Sequence, residues 1–168
     1  PHPGAFQKQL RSNFRQLRRS WYMFFFQIPW LPEWGIRLNR RRFVEQAFRG
    51  MAIRKEAFPD EDLQRYVEAL EKPGAVTAAI NYYRAAFRET VRRGERQFAK
   101  ITCPTLLIWG EEDIALGKEL TDNMEPYFTD RFAIKYIPRC SHWVQQEQPE
   151  LVNRYMLEFL SDLIAKTG

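Results

Sequence analysis

The chain has 168 residues and a net charge of +5, with 45% of residues hydrophobic and 15% aromatic. That size fits one domain or a piece of a larger one, and that composition excludes a disordered segment. The most apolar stretch, residues 21–30, is about half as long as a membrane-spanning helix, so no transmembrane segment is expected.

Charge is unevenly spread. Residues 1–100 hold twenty Lys and Arg against ten Asp and Glu, whereas residues 101–168 hold six against eleven. A basic first half suits nucleic acid or an anionic membrane. Here, though, the basic runs at 40–42 and 92–93 are short and interleaved with Glu, and neither zinc-finger spacing nor an RNA-binding aromatic motif accompanies them. The favoured reading is a set of solvated, arginine-rich helix faces, with no nucleic-acid partner. The two cysteines, Cys103 and Cys140, fall at opposite ends of two expected strands, about 15 Å or more apart. That is beyond disulfide reach. Two unpaired thiols point to a reducing, cytoplasmic compartment, with membrane association through a further N-terminal segment left open. The chain starts Pro1-His2-Pro3, without Met, as a processed or truncated product would, and no cleavable leader is expected.

In chain order, everything before about residue 98 reads as helix and loop. Residues 4–19 carry Phe6, Leu10, Phe14 and Leu17 at helical spacing, and a very aromatic segment, 20–27, continues from them. Pro29 and Pro32 are expected to break the chain. Residues 39–54 repeat the helical pattern with Phe43, Ala47 and Met51. Residues 58–70 predict a helix with Asp60 as N-cap and a stripe of Leu63, Tyr66, Val67 and Leu70. After Pro73 and Gly74 another helix is predicted over 75–93, ended by Gly94. The pattern then changes. Two short apolar runs, 105–109 and 132–137, flank a predicted helix over 117–128, which is a βαβ unit with a parallel sheet. A final helix over 149–165 begins at Pro149. The expected organisation is therefore a helical region, residues 1–97, and an α/β region, residues 98–168. Two strands do not make a stable sheet alone, so further strands are expected outside this sequence.

Parallel strands end on one edge, about 4.8 Å apart. Asp113 follows the first strand in "GEEDIALG" and His142 follows the second in "PRCSHW". That edge is where ligands bind in open α/β sheets, and a carboxylate beside an imidazole holds its tautomer and steadies the imidazolium. Taken singly, Asp113 is a turn residue and His142 a packing or helix-entry residue. At matched strand ends a catalytic pair is the stronger reading. Glu111 and Glu112 are rival acids, with the register from Gly110 favouring Asp113. Cys140 and Ser141 are candidate nucleophiles, but neither sits on a strand–turn–helix elbow. No metal-ligand cluster or cofactor motif appears, and no cofactor or metal is expected.

Acid before histidine, late in the chain and one βαβ unit apart, is the order of the α/β-hydrolase fold. The segments "PTLLIWGEEDIALG" and "SHWVQQEQPELVNRYMLEFL" resemble the last third of an α/β-hydrolase-fold epoxide hydrolase of the epoxide hydrolase 4-like branch. "RSWYMFFFQIPWLPEWG" and "PGAVTAAINYYRAAF" resemble that family's two cap motifs, and the likeness covers nearly the whole chain. It implies the C-terminal part of a mostly parallel sheet plus an all-helical cap, with the N-terminal half of the sheet absent. It also implies a chemistry. An aspartate nucleophile opens an epoxide, Tyr22 and Tyr83 (or Tyr82 if the register slips) hold and protonate the oxygen, and His142 with Asp113 activates water to hydrolyse the ester. Trp143 and Phe24 are expected in the substrate pocket. The implied partners are a small apolar epoxide and water; the oligomeric state is not implied. The nucleophile elbow and the oxyanion loop are not in this sequence, so the chain alone is expected to be inactive. Competing readings are a haloalkane or haloacid dehalogenase, another hydrolase of the same fold, or a non-catalytic helical binding module using the basic half.

Overall fold

The computed structural model describes residues 1–93 and 98–167; it is helical up to residue 93, and a small parallel sheet follows. The first helix, α1 (Pro3–Ser12), carries Pro in its first turn, where a missing N–H is harmless. His2 caps it: Nδ1 accepts from the Gly4 N–H at 3.1 Å, while Nε2 lies 3.1 Å from the Ala99 carbonyl. This contact ties α1 to the sheet side, where Ala5 packs with Met124 and Phe128.

The single helix expected over 4–19 is two helices. Asn13 leaves helical geometry and its side-chain oxygen accepts from the Gln16 N–H, so a capping residue ends α1 and starts α2 (Phe14–Arg19). The aromatic segment forms α3 (Trp21–Phe25). Pro32, expected as a breaker, instead lies in the first turn of α4 (Leu31–Leu38), a position that suits its fixed φ. Asn39 caps α5 (Arg40–Ala47), which is shorter than the pattern over 39–54. In α6 (Asp60–Glu71) the cap is Pro59, and the Asp60 carboxylate reaches Arg41 and Arg49 at 3.0 and 2.8 Å instead. The long helix α7 (Ala75–Arg93) follows Gly74, whose φ of 81° favours glycine. The helix end expected at Gly94 lies outside the described residues, as does residue 97, the expected last residue of the helical region.

The sheet pairs β1 (Thr105–Gly110) with β2 (Phe132–Ile137) in parallel, Thr105 facing Phe132 and Gly110 facing Ile137. The helix expected over 117–128 is absent. Two 3-10 turns, Lys118–Thr121 and Glu125–Tyr127, replace it: Asn123 takes a φ of 53° and Pro126 has no N–H to donate, so no continuous helix passes through. A short helix that the pattern did not predict, α8 (Val144–Glu147), precedes α9 (Pro149–Thr167). Cys103 is exposed just before β1, Cys140 is buried just past β2, and both are free thiols.

Two apolar clusters hold the helical half. Val44, Phe58, Leu63 and Val67 join α5 to α6, and Phe26, Ile36, Val76 and Ile80 join the end of α3 to α4 and α7. Burying such side chains stabilises by about 1.5–3 kcal/mol each. The sheet is less covered. Most residues of β1 and β2 are only half-buried, and Leu157 and Ile164 of α9 are exposed at 65% and 73%. Among the described residues no helix is long and apolar enough to cross a membrane.

Candidate active site

Because β1 and β2 end in register, their outgoing loops leave one edge. Gly110 lets them touch: a Cβ there would stand 2.1 Å from the Ser141 carbonyl oxygen and 2.6 Å from that of Cys140. With that space open, the Glu111 N–H donates to the Ile137 carbonyl and the Glu112 N–H to that of Cys140, both at 3.1 Å. The acid loop and the histidine loop are thereby joined backbone to backbone.

Asp113 uses both oxygens. Oδ1 accepts from the N–H groups of Ala115 and Leu116 at 2.8 and 2.9 Å, and Oδ2 lies 2.8 Å from His142 Nδ1. A carboxylate only accepts, so Nδ1 carries the proton and the Nε2 lone pair is left available. The carboxylate is buried, while the His142 side chain stays 27% exposed. A base with a dry orienting partner and an open reactive nitrogen is what proton abstraction from water requires. The rival acids are elsewhere: Glu111 pairs with Lys118, and Glu112 is exposed. Ser141 and Cys140 are almost wholly buried, and burial pushes the Cys140 thiol up to about 11, so neither is a ready nucleophile.

The tyrosines come together from two helices. The rings of Tyr22 on α3 and Tyr83 on α7 lie edge to face, with centroids 5.7 Å apart, and Phe26 packs against both. Tyr82 points outward and is 73% exposed, so of the two adjacent tyrosines Tyr83 is the one facing Tyr22. Burial raises the Tyr22 phenol to about 12, with smaller contributions from Tyr83 and from the negative charge of Asp113. Burial also raises the Tyr83 phenol, with Tyr82 adding to it. Both phenols hold their protons well above neutral pH. Phe24 is 45% exposed with its ring against Phe87, centroids 5.9 Å apart. Trp143 sets its ring edge to face with His142 at 4.9 Å while packing against the α5–α6 cluster.

Three buried polar residues, Gln16, Glu33 and Glu147, and the half-buried Arg84, all missed by sequence reasoning, support this arrangement. Gln16 on α2 donates to the Ala115 carbonyl at 3.1 Å and accepts from the Gly117 N–H at 2.9 Å, holding the acid loop from the helical side. Arg84, next to Tyr83, meets both carboxylate oxygens of Glu33 at 2.5 and 3.1 Å and donates to the carbonyls of Phe26 and Ile28 at 2.9 Å. That hydrogen-bonded guanidinium holds the Glu33 carboxyl below its ordinary range. Glu147 is 2% exposed and accepts only from backbone N–H groups. In the sequence these four look like surface residues, because their partners, backbone groups or each other, lie mostly far along the chain. Among the described residues no group of three or more His, Cys, Asp or Glu is placed to hold a metal ion.

The fold is that of an α/β hydrolase. The structure superposes on a putative acyltransferase from Salmonella enterica with a TM-score of 0.80 at 22% identity, over 93% of this chain and 53% of that one, a likeness of fold alone. No family model matches the chain. Within the fold class, the chain is similar to epoxide hydrolases. It is 32% identical over 166 residues to epoxide hydrolase 4 of Homo sapiens, covering 96% of this chain and 45% of the relative. It is 35% identical over 165 residues to epoxide hydrolase 2 of Caenorhabditis elegans, covering 96% and 46%. An epoxide hydrolase from Bacillus megaterium, solved with an inhibitor, superposes with a TM-score of 0.74 at 28% identity over 96% of this chain and 58% of that one. The chain spans about half the length of the curated relatives it matches.

Proposed function

We propose that this chain supplies the cap and the acid–base pair of an epoxide hydrolase whose nucleophile lies on sequence outside it. The observation that carries the reading is the 2.8 Å contact between Asp113 and His142 at adjacent strand ends, in a chain whose helical half pairs two proton-holding phenols. Residues 1–97 act as cap and residues 98–168 as the C-terminal part of the core. An aspartate carboxylate attacks one epoxide carbon and the C–O bond breaks. The released alkoxide takes a proton from Tyr22 or Tyr83, because a neutral phenol is a competent donor to so basic an oxygen. The product of this half is an alkyl ester on the nucleophile. Water then attacks the ester carbonyl, His142 Nε2 takes its proton, and the charge on Asp113 stabilises the imidazolium. The acyl C–O bond breaks as the departing oxygen takes water's second proton, the diol leaves and the carboxylate is restored, and the imidazolium proton passes through solvent to the tyrosinate. The substrate is a small apolar epoxide, with Phe24 and Trp143 as apolar walls, and no cofactor takes part. The free thiols support a reducing compartment.

The test compares residues 1–168 with the same protein extended by its natural upstream sequence. Styrene oxide hydrolysis by the extended protein and none by the 168 residues is the expected result. Turnover by the 168 residues alone would refute an external nucleophile. Halide release from a chloroalkane without epoxide opening would move the assignment to the dehalogenases.

A further inference from the structure

We infer that Glu147 is a positioning residue for His142, acting by fastening the histidine loop to the helical half; the inference rests on His142 being the base. Glu147 sits at the end of α8 and is 2% exposed. Its Oε1 accepts from the Ser141 N–H at 3.1 Å, on the residue just before the histidine. Its Oε2 accepts from the N–H groups of Ile53 and Arg54 at 2.9 and 3.0 Å, in the segment that follows α5. One carboxylate thus joins three backbone donors from two distant parts of the chain. Bonds of this kind, N–H to an ionised and desolvated carboxylate, are the strong ones.

The residue after the histidine is held to the same part of the molecule. Trp143 donates its Nε1–H to the Ala47 carbonyl at 2.9 Å, and its ring stacks on Phe48 with centroids 4.7 Å apart. His142 is therefore bracketed, with both sequence neighbours anchored to the end of α5 and the segment beyond it. The bond to Asp113 sets the rotation of the imidazole, but it does not set where the loop carries the ring. The bracket does, and with it the point at which Nε2 meets the attacking water. Gln cannot stand in for Glu147. It offers one acceptor oxygen, and its NH₂ would face an N–H that also donates.

A merely structural role predicts that losing Glu147 lowers the folded fraction and scales both half-reactions alike. Positioning predicts a split between them. The experiment is single-turnover quench of the full-length protein, wild type against E147Q and E147D, with ester formation and ester hydrolysis followed separately. The expected result is unchanged ester formation, with hydrolysis slowed by ~10²-fold in E147Q and by a smaller factor in E147D, so that the ester accumulates. Equal slowing of both steps, or of neither, overturns the proposal. E147D keeps both acceptor oxygens on a shorter stem, so it carries the test if E147Q does not fold. Should the wild-type protein open no epoxide, the reaction assigned above fails, and the positioning is read from the His142 Nδ1 proton by NMR. Broadening of that resonance in the variants supports it; an unchanged resonance sinks it.

Discussion

Asp113 forms a turn with one oxygen and orients His142 with the other. The two readings available from the sequence, turn former and catalytic acid, are therefore both true of one side chain. D113N separates them. The amide oxygen can keep the turn, but its NH₂ then faces Nδ1 and drives the imidazole to the tautomer with a protonated Nε2. Ester hydrolysis should fall by ~10⁴-fold while ester formation persists, as stopped-flow measurements with a chromogenic epoxide would show. For Tyr22, a phenol raised to about 12 stays a donor far above neutral pH, so ester formation should not decline with alkali until the pH nears that value. The sign for stability follows. The folded state keeps this proton where the unfolded chain releases it, so stability is fully present below the ordinary tyrosine value of 10.0 and is lost as pH rises towards about 12. Y22F should slow ester formation by ~10²-fold and lessen that alkaline loss, read by rate and by circular dichroism against pH.

At the scale of elements, α3 is a helix of five residues and cannot hold itself in place. Arg84 holds the stretch that follows it, bonding the carbonyls of Phe26 and Ile28 while α4 supplies Glu33 as counter-ion. The Arg84 and Glu33 side chains are 15% and 10% exposed, so removing one charge strands the other in a dry place. R84M should cost about 3–5 kcal/mol in urea unfolding, and it should slow ester formation more than ester hydrolysis by loosening the tyrosine pair. Helical and strand periodicity identified most of the elements because apolar spacing is a local property. The misses have local causes too: Asn13 caps in mid-run, Pro32 opens α4, and Asn123 and Pro126 stop a helix whose apolar spacing is otherwise sound.

Taken whole, the molecule has a well-packed helical half and an open sheet. Two half-buried strands, with Leu157, Leu160 and Ile164 of α9 exposed at 50% or more, leave apolar surface that further strands would bury. The 168-residue chain should bind the dye ANS strongly, and the upstream half added in trans should reduce that fluorescence; undiminished binding would argue that no such sheet is completed. The acid, the histidine, their order and their strand-end placement were legible in the sequence, because strand direction and register follow from short apolar runs and a parallel connection. So was the tyrosine pair, though only through its likeness to the family motifs. Tertiary structure set Asp113 rather than its glutamate rivals against His142 and Tyr83 rather than Tyr82 against Tyr22, as the sequence favoured, and it alone decided that Gln16, Glu147 and Arg84 hold the site in place. The reason is physical. Each of those three polar side chains bonds backbone groups far away in the chain, and a backbone N–H or carbonyl looks alike at every residue, so no spacing in the sequence marks it as the partner.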